Sequence, residues 1–233
     1  MAPESEPVPA PAAGELPSSP IGESRWPPAV AVVTYLAINV GLRVWLPTES
    51  AVHVPWLLPG VEVLLLVVLI TSDPGNNEER RRLHRVADVL VGLLVAAALW
   101  STATLVYDLI TSQGVSGSAD ELLATGAVVW LGNNLAFAFL YWLMDGGGPM
   151  ARAGRAAPPD FAFTQHLNPE LAPPGWRPVF LDYLHLAFTN ATAFSPTDVM
   201  PLSLRAKYAM VTQATVAVAL FGLIVARAVN AFT

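Results

Sequence analysis

Asp182, His185 and Thr189 stand at i, i+3 and i+7, so a helix through them carries an acid, an imidazole and a hydroxyl on one face, with Asn190 and Ala193 alongside. Such a stripe suits one of two tasks. It can wall a solvated path or an ion site, or it can bond to neighbouring helices as intramembrane glue. Thr192 extends the polar run, and Ser195-Pro196-Thr197-Asp198 then forms a sharp turn whose side chains can equally cap local backbone N–H groups. The candidate site is therefore Asp182, His185, Thr189, Asn190, Thr192, Ser195, Pro196, Thr197 and Asp198.

Catalysis finds no comparable pattern. His53, His84, His166 and His185 are dispersed, HExxH and GxSxG are missing, and no nucleophile has a visible base, so neither an enzyme nor a metal or cofactor site is expected. Cysteine is absent, which removes thiol chemistry and disulfides together. Other polar residues fall inside apolar stretches. Glu62 follows Pro59-Gly60 and is expected to sit near an interface and snorkel; Asp88 and Asp108 lie near the two ends of one segment; Asn133 and Asn134 look deeper and read as interhelical glue. Asn39 and Arg43 share a face, from which the arginine can reach headgroups.

Apolar helices are expected to carry these groups. Of 233 residues, 54% are hydrophobic and only 13% charged, whereas soluble domains carry about 25% charged residues. Apolar segments fall at 29–46, 54–71, 86–111, 121–144, 179–195 and 206–230, separated by short polar breaks. The fold class is an all-α integral membrane protein with six hydrophobic helical segments. A span needs about 20 apolar residues, so the third, fourth and sixth cross comfortably, while the fifth is short, polar, and suited either to a shielded span or to a re-entrant, pore-loop-like helix. Pro47, Asp73-Pro74-Gly75, the Ser/Gly stretch at 112–119 and Gly146-Gly147-Gly148-Pro149 mark the breaks.

Four regions follow: a Pro-rich tail at 1–28 expected to be disordered, four transmembrane helices in 29–144, a long loop at 145–178, and a helix-turn-helix at 179–233. Cytoplasmic loops collect Lys and Arg, and the cluster Arg80, Arg81, Arg82 and Arg85 puts its loop inside, together with Arg152, Arg155 and Arg177 and the N-terminal tail. If the fifth segment spans, nine of the 12 basic residues lie inside; if it re-enters, Arg205 and Lys207 come in, Arg227 goes out, and ten lie inside. The bilayer is the expected partner. On the last helix, Ala214, Gly222 and Ala226 share a stripe suited to close packing or to homo-oligomer contacts, and no basic patch points to nucleic acid. Trp26, Trp45, Trp56, Trp142 and Trp176 fall at segment ends, as interface belts do.

From Phe180 the chain reads FLDYLHLAFTNATAFSPTDVMPLSLRAKYAM. This resembles the pore module of two-helix potassium-channel-type proteins, with Thr192 on a filter threonine, Asp198 on the aspartate after the filter, Pro201 on the following proline and Arg205 near the start of the inner helix. The resemblance covers roughly the last quarter of the chain, and Phe194-Ser195-Pro196-Thr197 replaces the Val-Gly-Tyr-Gly filter. Without those glycines the carbonyl-lined filter cannot form, so ordinary potassium selectivity is expected to be absent. Conventional channel topology also opposes the charge distribution, which leaves convergence or an inverted pore loop as alternatives. More of the chain, through YWLMDGGGP, PDFAF, GWRPVFLDYLHLAFTNATAFSPTDVMPLS and ARAVN, looks like an uncharacterised family of bacterial integral membrane proteins, which implies an inner-membrane location and no assigned activity.

Overall fold

A computed structural model describes residues 23–24, 26–45, 57–71, 77–111, 119–154, 157–192 and 198–231. Each of the six apolar segments lies largely within a helix: α1 (Trp26–Trp45), α2 (Leu57–Thr71), α3 (Asn77–Thr111), α4 (Ala119–Met144), α7 (Phe180–Thr192) and α8 (Leu204–Ala231). Among the described residues, three helical stretches are long and apolar enough to cross a membrane: Arg82–Thr111, Leu123–Arg152 and Leu204–Ala226. Shorter apolar stretches occupy Trp26–Ile38 and Pro59–Val68. At 1.5 Å per residue, the 13 residues of α7 extend only about 20 Å.

Helix α4 is the centre of the bundle because it is apolar on all sides, the pattern of a helix that other helices surround. Leu135 to Phe139 and Tyr141 to Leu143 are all buried, and α1, α3, α7 and α8 each pack against it. Outward faces are apolar too. Val89, Leu93, Trp100, Tyr107 and Ile110 on α3, and Tyr208, Val211, Val218, Phe221 and Val225 on α8, are exposed, an arrangement suited to hydrocarbon or to an apolar partner surface.

The loop after α4 departs from the all-helical expectation. It holds a tight turn at Asp145–Gly147, the short helix α5 (Pro149–Gly154), strand β1 (Phe161–Phe163), the short helix α6 (Thr164–Leu167) and a second tight turn at Pro169–Leu171. Beyond α7, strand β2 (Val199–Pro201) pairs antiparallel with β1, aligning Phe161 with Pro201 and Phe163 with Val199. Three residues per strand are too few to show an alternating sequence pattern, so helical periodicity hides this ladder. Gly146, Gly147 and Gly148 have φ of 56°, 79° and 90°, conformations that side chains with a Cβ rarely adopt, so the triple glycine turns the chain off α4 sharply. A Cβ built on Gly148 would meet His84 Cε1 at 2.7 Å. The start of α3 and the end of α4 therefore lie together, at the end of the bundle that the chain after α4 occupies.

Several expectations change here. Glu62 is fully buried rather than snorkelling. Trp142 is buried in the core, not at a belt, whereas Trp26 is 75% exposed. On the stripe of Ala214, Gly222 and Ala226, Ala214 is half-buried and the other two are exposed, so packing within the chain uses a different face of α8, through Met210, Gln213, Ala217, Leu220 and Ile224. Asp88 is exposed and lies 3.7 Å from His84 one turn earlier.

Candidate functional site

Each predicted polar residue of α7 has a definite local role. Val179 N–H donates to Asp182 Oδ2 at 2.7 Å, so Asp182 caps the first turn, where a negative charge also suits the helix dipole. Thr189 and Thr192 donate to the carbonyls of His185 and Phe188, each at 2.9 Å, which satisfies their hydroxyls within the helix. His185 Nε2 lies 3.3 Å from Asp198 Oδ2, with both side chains substantially solvent-accessible. The stripe and the turn are thus brought together at one pair, while Ser195, Pro196 and Thr197 lie outside the described residues.

Asn190 alone among them is buried, and it joins a neutral hub. Its Nδ2 donates to Met210 O and to Gln213 Oε1, both at 2.9 Å. Tyr141 O–H donates to the same Gln213 oxygen at 2.6 Å, and Gln213 Nε2 donates to Ala187 O at 2.9 Å. α4, α7 and α8 are tied together through one amide. A smaller bond links α3 to α4, where Asn133 Nδ2 donates to Thr102 Oγ1 at 2.6 Å.

A charged cluster that the sequence reading did not identify sits below this hub, at the loop end. Asp145, fully buried, accepts from Asp160 N–H at 2.6 Å and Phe161 N–H at 3.2 Å through Oδ1, and from Tyr183 O–H at 2.5 Å through Oδ2. Asp160 is 3% exposed and takes a two-pronged contact from Arg205, Nε to Oδ1 at 2.6 Å and Nη2 to Oδ2 at 2.5 Å. Arg152 donates to Trp142 O at 2.6 Å, Asp145 O at 2.8 Å and Glu23 Oε1 at 2.8 Å, with its guanidinium 5.0 Å over the Tyr183 ring. Trp142 Nε1–H closes the circuit on Glu23 Oε2 at 2.7 Å.

Burial by itself would raise the Asp160 pKa, but the hydrogen bonds and charge of Arg205, helped by Ser203 and Gly146 N–H, outweigh it and hold the carboxyl below its ordinary range. One signal could have exposed this cluster. An acid at a helix C-terminus faces the negative end of the dipole, so Asp145 directly after α4 needs strong donors elsewhere. The rings of Tyr141 and Tyr183 are 5.3 Å and 6.4 Å from the ring of Phe161, so an apolar side chain separates the charged cluster from the neutral hub.

The chain matches no protein-family model, no curated protein and no solved structure in the comparisons made with them.

Proposed function

We propose that this is a multi-pass inner-membrane protein that provides a path for a small solute or ion, with α7 as the first arm of a re-entrant hairpin that enters from the loop end and has returned to it by Asp198. The observation that carries this reading is that both arms are tied to the same loop. Tyr183 on the first turns of α7 bonds to Asp145, while beyond the turn Asp198 O accepts from Thr164 N–H at 3.1 Å and β2 pairs with β1. Irregular backbone at membrane depth is tolerated where it is enclosed by protein or lines a cavity, and transport proteins use such broken helices to reach the midplane. Re-entry leaves five spans and puts ten of the 12 basic residues at the loop end, which the charge rule assigns to the cytoplasm.

Two tests address the two parts separately. With no native cysteine, single cysteines at Leu171 and Leu202, before and after the hairpin, should react with a membrane-impermeant thiol reagent only after permeabilisation; reaction from opposite sides would make α7 a span. In liposomes, Asp198→Asn should alter ion or solute flux by removing the charge beside His185. Folded protein that passes none of the common ions or small solutes would sink the transport reading.

A second reading has its own observation. Asn190, the buried polar group of α7, bonds to Gln213 and to the α8 backbone, which is what a packing element of a non-catalytic scaffold or accessory subunit needs. Co-purification of a stoichiometric partner together with absent flux would favour it.

A further inference from the structure

The outer face of α3 begins with cations. Arg82 is the first residue of the apolar stretch Arg82–Thr111, one of those long enough to cross a membrane, and Arg82 and Arg85 are both exposed. With about 3.6 residues per turn, positions 82, 85, 86, 89, 93 and 96 fall on one side of the helix. Beyond the arginines that side carries Val86, Val89 and Leu93, all exposed, and then the exposed Ala96. Gly92 lies at its edge, and a Cβ there would meet nothing within 4 Å. Two cations thus head an apolar strip that is recessed where Gly92 and Ala96 stand in place of large side chains.

The acids nearby lie elsewhere. Asp88 is off this side, 3.7 Å from His84, and Glu78 and Glu79 precede the arginines in the chain, away from the strip. The arginines are therefore the charges that adjoin the apolar residues. From Val86 to Ala96 the helix rises about 15 Å, half of a hydrocarbon core about 30 Å thick, which is the depth one acyl chain of one leaflet fills. Arginines at the head of such a strip stand at the level of lipid phosphates, and a guanidinium meets phosphate oxygens through parallel N–H donors. A zwitterionic headgroup covers the strip equally well but sets a cation of its own beside the phosphate. Net negative charge is what the arginines select.

We propose that α3 holds an anionic phospholipid, its phosphate on Arg82 and Arg85 and one acyl chain along Val86, Val89 and Leu93 over the recess at Gly92 and Ala96. The outer face of α8 is just as apolar but offers less charge. Arg205 is committed to Asp160 by two bonds, which leaves Lys207 as the exposed cation beside Tyr208 and Val211. The inference requires that α3 cross a bilayer, and it holds whether α7 re-enters or spans.

Each arginine near an anionic surface contributes about fivefold in affinity, and two contribute about thirtyfold. The test titrates the full chain in neutral detergent with phosphatidylglycerol or phosphatidylcholine of the same acyl chains and counts retained lipids by native mass spectrometry. At low salt the wild type should hold one phosphatidylglycerol about thirty times more tightly than phosphatidylcholine, and Arg82→Gln combined with Arg85→Gln should bring the two lipids together. Arg177→Gln combined with Lys207→Gln removes as much charge elsewhere and should leave the preference in place. Equal binding of the two lipids by the wild type would overturn the inference, as would a preference that survives the first double variant or falls equally in the second. Inorganic phosphate should not displace the lipid; displacement by it would reveal an ion site in which the strip plays no part, and would overturn the lipid assignment. Should the first double variant fail to fold, photolabelling of the wild type decides: phosphatidylglycerol with a diazirine in its acyl chain should mark peptides of α3 over those of α8 while the phosphatidylcholine probe marks both alike, and a phosphatidylglycerol probe without that bias would overturn the inference.

Discussion

The two polar regions of this bundle differ in kind. At the loop end, Asp145, Asp160, Arg152, Arg205 and Glu23 are charged-type side chains linked through backbone N–H groups, Tyr183 and Trp142. Farther along the bundle, Tyr141, Asn190 and Gln213 form a hub with no ionisable carboxylate or cation in it. Charge is tolerated where water or a full set of donors is near, whereas deep in hydrocarbon neutral amides and hydroxyls bind helices at lower desolvation cost. The loop end thus behaves as a clasp and the hub as glue, a contrast that four experiments test.

Asp145→Ala should have the largest effect, because it strands two buried N–H groups and the Tyr183 hydroxyl at once. A loss of about 3–5 kcal/mol is expected, read as a shift of the unfolding midpoint in mixed micelles titrated with denaturing detergent. A loss below that of any hub variant would reverse the ranking of the two regions.

Arg205→Met comes next. It leaves the buried Asp160 carboxylate with Gly146 N–H as its backbone donor, and about 2 kcal/mol should be lost, less than for Asp145 because the arginine itself is largely exposed. The same variant tests a pH dependence. Since the folded pKa of Asp160 is depressed, its stabilisation is present above the unfolded carboxylate pKa of about 3.9 and is lost as pH falls through the lower folded value. Thermal scans in acid should show this loss in the wild type and a smaller one in Arg205→Met. Parallel pH curves for both proteins would remove Arg205 from the account.

In the hub, Gln213→Leu removes bonds that join three helices. Intramembrane hydrogen bonds average about 0.6 kcal/mol, so a loss of about 1–2 kcal/mol should appear in the same detergent titration. A value above that of Asp145→Ala would make the hub, not the clasp, the organising feature. Smallest of all, His185→Ala should change stability by less than about 0.5 kcal/mol, because the pair with Asp198 is solvent-accessible. A large loss there would place His185 among the structural residues and weaken its candidacy on a transport path.

Residue types alone reached the helices but only part of the chemistry. The six apolar segments, the Gly146–Gly148 break and the interhelical role of Asn133 were legible because hydropathy, turn chemistry and intramembrane polarity are local properties. Asp182, His185, Thr189, Asn190 and Thr192 do occupy one short helix, yet their one-face pattern could not say which would cap, which would be exposed and which would be buried. Glu62 and Trp142 were misjudged for the same reason: depth depends on what packs around a side chain, not on its distance from a proline or a segment end.

An apolar helical bundle with three helices long and apolar enough to cross a membrane, and one short polar segment, could be read from the residues alone, because the length and hydropathy of a run are local properties of the chain. Which polar groups meet follows from how the helices and the loop pack. Glu23, Trp142, Arg152, Asp160, Tyr183 and Arg205 are scattered over most of the chain, and the hydrogen bonds that stabilise them form across separations that no local pattern encodes.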